Sequence, residues 1–222
     1  MTTMRFAFYL VILSLVTIGG CSAMKHGDTP STLDALATRL ASSKLPDMAT
    51  GLAEDPQIQR LWTEFPDRRL YASLVPDAQR SEAVRFAAAL VLLAKAREQL
   101  FQLEPRPVAQ VFAIALRDDL AGYAYPWGWL WARGDGAGPL GRVFLQIGRP
   151  ALPALAALLD DKTPRDSYLG SEEATEMAQR GYRVKDFAAF YTAQIVGAEL
   201  PWDPDRDKRD AAIARLREAL PR

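Results

Sequence analysis

The segment from Gly138 to Asp161 constrains the fold more than any other part of the chain. Leu140, Val143, Phe144 and Ile147 fall at i, i+3, i+4 and i+7, and Leu152, Leu155, Ala156 and Leu159 repeat that kind of spacing. This is the period of a helix with one apolar face. Gly148-Arg149-Pro150 lies between the two runs. A glycine takes the left-handed conformation that ends a helix, and a proline opens the next one where a missing N–H costs nothing. Pro153 stays within or beside the first turn of the second run. The spacing therefore predicts two short amphipathic helices in an antiparallel hairpin, each of which needs a neighbour to cover its stripe.

The rest of the chain supplies such neighbours. Ser31 and Asp34 offer a capping box ahead of Leu33, Leu36, Ala37 and Leu40. Asp55-Pro56 reads as an N-cap and N1 proline before Ile58, Leu61, Trp62 and Phe65. Asp67 to Val75 is long enough for a turn or two. Ser81 to Leu100 predicts the longest helix, with stripes Val84/Ala87/Ala88/Val91 and Phe86/Leu90/Leu93 that make it the most enclosed. After the breaker Glu104 to Pro107, Val108, Val111, Phe112 and Ala115 mark another helix. Val184, Phe187, Ala188 and Tyr191 mark one more, and Asp203-Pro204 opens a last one carrying Ile213, Leu216 and Leu220. The one alternating run, Tyr123 to Trp131, holds Pro126 and Gly128, which argue against a paired strand. The expected fold is all-α, a short solenoid or compact stack of helical hairpins over residues 31–222. With 222 residues, 49% of them apolar, the chain can bury one sizeable core or two small ones.

Residues 1–20 read as an export signal: Arg5, an apolar run from Phe6 to Ile18, then Gly19-Gly20. Ile18-Gly19-Gly20-Cys21 resembles the bacterial lipobox, and Cys21 is the only cysteine in the sequence. That resemblance implies a lipidated Cys21 at the mature N-terminus, residues 21–30 as a tether, and a domain held on a membrane of the bacterial envelope. Ser22 after the cysteine resembles the outer-membrane sorting signal of enteric bacteria, which places the domain in the periplasm.

Part of the chain repeats itself. Val84-Arg85-Phe86-Ala87-Ala88-Ala89-Leu90 is similar to Val184-Lys185-Asp186-Phe187-Ala188-Ala189-Phe190, and the same offset pairs Leu116-Arg117 with Leu216-Arg217 and Leu120 with Leu220. Helix pairs stacked on copies of themselves follow solenoid logic. Gly148 to Leu155, Leu159-Asp160-Asp161 and Tyr182 to Ala189 resemble HEAT-like repeats of the phycocyanobilin-lyase type, well over residues 138–197 and more weakly over 67–120. The resemblance implies helical hairpins in a curved row, usually a surface for protein partners.

Chemistry is sparse. The sequence holds 27 basic and 27 acidic residues, so no basic stripe points to nucleic acid. The one histidine, His26, sits in the tether, which leaves no multi-histidine metal centre, and no cofactor is expected. Glu172, Glu173 and Glu176 cluster on a polar insertion, Lys162 to Tyr182, and Asp118-Asp119 ends a helix. Lys185-Asp186 and Arg206-Asp207 read as exposed local ion pairs of little weight. The strongest anomaly is the aromatic set Tyr123, Tyr125, Trp127, Trp129 and Trp131. These rings either fold back as a plug over the junction of the two repeat halves or stand as an exposed platform for a partner or a glycan. The expectation is a non-catalytic, lipid-anchored scaffold for another envelope protein; the alternative is a cell-wall-acting enzyme or accessory with a carboxylate in a groove.

Overall fold

The computed structural model describes residues 31–46, 51–121, 130–133, 136–165, 179–200 and 202–220. Among them the fold is all-α. In chain order the helices are α1 Thr32–Ala41, α2 Pro56–Glu64, α3 Arg68–Leu74, α4 Glu82–Lys95, α5 Arg97–Gln102, α6 Pro105–Asp118, α7 Gly141–Ile147, α8 Leu152–Ala156, α9 Val184–Val196 and α10 Arg206–Ala219. Among the described residues a short antiparallel ladder pairs β1 Ala132–Arg133 with β2 Gly136–Ala137, and a single bridge joins Pro164 to Arg183.

Side-chain caps start most of the early helices. Ser31 Oγ accepts the Asp34 N–H at 3.1 Å, Asp55 Oδ1 accepts that of Ile58 at 2.8 Å, and Ser81 Oγ accepts that of Val84. Each satisfies an N–H left over in a first turn, worth about 1 kcal/mol.

Two helices act as pillars. Every residue of α4 from Val84 to Leu93 is buried, and so is every residue of α9 from Val184 to Ala193. α4 packs against α1, α2, α3, α5 and α6, while α9 packs against α7, α8 and α10. Between the pillars run α6 and α7, and a line of rings crosses the whole core. Phe86 meets Phe112 edge-on at 5.5 Å, Phe112 meets Phe144 at 6.4 Å, and Phe144 meets Tyr191 at 5.3 Å. A single apolar core thus extends from Leu36 in α1 to Leu216 in α10. At the positions paired by the sequence offset, Leu116 and Leu216 are both buried and Leu120 and Leu220 both half-buried, while α6 packs on α4, α5, α7 and α8 and α10 packs on α9.

Several sequence expectations need correction. Ser81 to Leu100 is not one helix. Ala96 leaves the helical region (φ −147°, ψ 52°), and α5 restarts so that buried Leu100 packs where α5 meets α3 and α6. Alanine carries no local signal for this break; tertiary packing overrides propensity. Pro105 and Pro107 belong to the first turn of α6 rather than to a separating loop. The second arm of the hairpin begins as a 3-10 turn, Arg149–Ala151, and α8 is only five residues long. Pro150 and Pro153 withhold two N–H groups there, and i→i+3 bonds such as Leu158 N–H to Leu155 carry the chain onward. The tighter winding turns Ala156 out to solvent and brings Ala151 and Leu158 in. Gly148 closes α7 at φ 71°, as its position requires. The last helix is capped by Asp205 rather than Asp203, with the Asp205 carboxylate accepting from the Asp207 and Lys208 N–H groups.

Candidate protein-binding groove and buried ion network

Of the five aromatic candidates, Trp131 is buried at 2% exposure and stacks on Phe144 at 6.5 Å. Its segment is held by the Leu140 N–H to Leu130 O bond at 2.7 Å and the Gly138 N–H to Trp131 O bond at 3.0 Å. Trp131 is therefore core, which corrects the platform reading for that ring. Tyr123, Tyr125, Trp127 and Trp129 lie outside the described residues, as do Cys21, His26, Glu172, Glu173 and Glu176.

Gly141 shows how closely this core is built. A Cβ there would overlap Tyr191 Oη and Cζ and would stand 2.5 Å from Trp131 O. Glycine is what lets α7 start against α9.

Asp118 and Asp119 have structural partners. The Asp118 carboxylate takes both Arg117 Nε and Nη2 at 2.6 Å, and these bonds hold its pKa below the usual carboxylate value. Asp119 caps α6 in the left-handed region at φ 53°. Its carboxyl is half-buried, and that burial raises its pKa against a smaller opposing pull from Arg165. The end of α6 is further satisfied by Arg165, whose Nε donates to Leu116 O at 2.8 Å and whose Nη2 donates to Arg117 O.

The outward face of α6 forms one wall of a groove of about 460 Å³. Arg106, Gln110, Ala113, Ile114 and Arg117 recur on that face at helical spacing. The opposite wall is Pro150, Pro153, Ala154, Ala157 and Leu158, with Glu82 at one end. Most of this lining is apolar, and Pro150, Pro153 and Ala157 are exposed while Ile114 and Ala154 are half-buried. The groove lies between α6 and the solvent side of the proline-bearing second arm, whose inner residues Ala151 and Leu155 are fully buried. Sequence reading missed it, although a signal was present: Ile114, three residues on from Val111, carries the apolar stripe round toward the Arg106 and Gln110 side of α6.

A second feature contradicts the expectation of exposed ion pairs at Lys185-Asp186. Both residues are buried. Asp186 accepts from Arg183 N at 2.8 Å and from Arg183 Nε and Nη2 at 2.9 Å, and pairs with Arg209 Nε at 3.4 Å. Arg183 also reaches Asp210 at 2.5 Å, which Lys185 Nζ contacts at 2.8 Å. Burial alone would weaken the Arg183 cation, but the hydrogen bonds it donates to Asp186 and Asp210 outweigh it and raise its pKa. In return, the Arg183 bond leads in pulling the Asp210 carboxyl well below the usual carboxylate range. Arg209 donates to the carbonyls of Arg180, Gly181, Asp203 and Pro204 and lies over the Tyr182 ring at 4.9 Å. The network fastens α10 to the start of α9, beside a ring cluster of Tyr182, Phe187, Phe190 and Trp202. Every charge in it has a partner, so it serves as a structural clamp.

Among the described residues no group of histidine, cysteine and acidic side chains is placed to hold a metal ion, and no helix is long and apolar enough to cross a membrane. No family model matches the chain, no curated protein matches it, and no solved structure matches it.

Proposed function

We propose that the protein is a lipid-anchored, HEAT-like scaffold of the bacterial envelope that holds a partner protein in the groove between α6 and residues 150–158. It binds and does not catalyse. The observation that carries the reading is the groove itself: among the described residues its lining is mostly apolar, Ala113, Ile114, Pro150, Pro153, Ala154, Ala157 and Leu158, with Arg106 at one end and Arg117 and Glu82 at the other. A concave lining of this kind gives the apolar side chains of a partner segment a seat. The repeat-like correspondence of α4 with α9 supports the row-of-hairpins reading, and the lipobox at Cys21 supports the anchor.

Two experiments test the two halves of this proposal. Ile114→Arg and Ala154→Arg place charge on the half-buried floor. Both variants are expected to keep their circular-dichroism spectrum and melting curve while losing the partner recovered with the wild-type lipoprotein from solubilised membranes. Retention of that partner by both folded variants refutes the groove. Cys21→Ser is expected to accumulate as unprocessed precursor without palmitate label; normal processing and labelling refute the anchor.

A further inference from the structure

The two ends of the groove differ in charge, and that difference specifies an occupant. Contacts at each end fix the direction of the chain. Ile147 lines one pocket with Pro105 and Val108 at the start of α6, and Gln146 accepts from Arg97 of α5 at 2.5 Å, whereas Arg165 binds the carbonyls at the end of α6. Residues 148–158 therefore run alongside α6 in the same sense. Arg149 and Pro150 stand at the Arg106 end, and Leu158 stands at the Arg117 end.

At the Arg117 end the cation is already neutralised, by Asp118 at 2.6 Å and Glu82 at 3.5 Å. At the other end Arg106 lines the groove and Arg149 flanks Pro150. Both are exposed, and neither has an ion-pair partner among the described residues. Like Arg149, the exposed Glu104, the N-cap of α6, stands beside this end without lining the groove, so the two arginines leave the end with a net positive charge. From Arg106 to Arg117 the floor is about 16 Å long at 1.5 Å per residue, the length of about three helical turns.

We propose that the groove receives an amphipathic helix of a partner protein, its apolar face on Ile114, Ala154 and Ala157 and its acidic first turn against Arg106 and Arg149. This rests on the groove reading above and names its occupant. An apolar-faced helix in an apolar groove is a recurrent recognition mode. Carboxylates are favoured in a helix's own first turn as well as beside free arginines, so one orientation satisfies both preferences.

The test uses the full-length lipoprotein in detergent and two fluorescein-labelled amphipathic peptides with the same leucine-alanine face. One carries glutamates in its first turn and lysines in its last; the other has these reversed. Fluorescence anisotropy is expected to show saturable binding of the first peptide, about tenfold tighter than the second. The double variant Arg106→Glu, Arg149→Glu is expected to weaken binding of the first peptide about tenfold, and Ile114→Arg to abolish binding of both. Equal affinity for the two peptides, no change in the double variant, or no saturable binding of either overturns the proposal. If Ile114→Arg nevertheless loses the cellular partner, the groove still binds protein and only the acidic-helix occupant is wrong. If the partner is retained as well, both readings fall.

Discussion

Asp186→Ala tests the clamp most sharply. The substitution removes the acceptor of the Arg183 N–H at 2.8 Å, of Arg183 Nε and Nη2 at 2.9 Å, and of Arg209 Nε at 3.4 Å. Arg183, Lys185 and Arg209, all buried, then face one remaining carboxylate, Asp210. Breaking a buried pair from one side costs about 3–5 kcal/mol, because the surviving charge stays desolvated and uncompensated. A domain of this size is stable by only about 5–15 kcal/mol, so the variant is expected to unfold at markedly lower urea. Circular dichroism reports the whole fold, and Trp202, packed on Tyr182 at 4.8 Å, contributes a local fluorescence signal from the clamp. Arg206→Ala, on the exposed start of α10, is the control and is expected to change stability by less than about 0.5 kcal/mol. Replacing the triad together (Arg183→Met, Asp186→Leu, Arg209→Met) is expected to recover much of the loss, since no charge is then stranded. An Asp186→Ala variant within about 1 kcal/mol of wild type refutes this account of the network.

Gly141→Ala is expected to destabilise by about 1–3 kcal/mol or more in thermal melts, because α7 must back away from Tyr191 and Trp131; an unchanged melting temperature contradicts the close approach. Asp119→Asn is expected to stabilise by about 0.5–1 kcal/mol at neutral pH, removing a half-buried anion from a helix C-terminus while keeping a side chain that tolerates positive φ. The raised pKa of Asp119 gives the sign: its proton is bound more tightly in the folded state, so its penalty appears as pH rises through the folded value, and the gain from Asn vanishes near pH 3. Asp210 has the opposite sign, since its pKa is depressed by Arg183 and Lys185. Its contribution is complete above the ordinary carboxylate value of 3.8 and fades as pH falls below it, so Asp210→Asn should flatten the acid limb of a stability-against-pH curve. A parallel acid limb in the variant counts against the pairing.

The apolar periods marked the helices because a buried stripe leaves a 3.6-residue signature: Leu36 and Leu40, Ile58 and Leu61, and Val108, Val111, Phe112 and Ala115 are buried as spaced. The complete burial of α4 was equally legible, as its stripes covered both faces. What failed depended on partners distant in sequence. Ala96 breaks a helix for the sake of Leu100, and the winding of residues 149–158 depends on two prolines whose effect extends past the turn they open. Lys185-Asp186 looked like a solvated pair because Arg209 and Asp210, their partners in α10, lie more than twenty residues away. The groove was illegible for a related reason. Ile114 carries the apolar stripe of α6 round toward Arg106 and Gln110, but the opposing wall comes from a segment whose winding the periodicity misjudged.

The most direct test of groove binding places a photo-crosslinking amino acid at Ala157, exposed on the groove wall, and at Ser73, exposed on α3. Irradiation of intact cells is expected to give one discrete protein adduct from position 157 and none from 73. The same adducts from both positions, or none from 157 while the variant is folded and membrane-bound, contradict the claim that this groove is where the protein holds its partner.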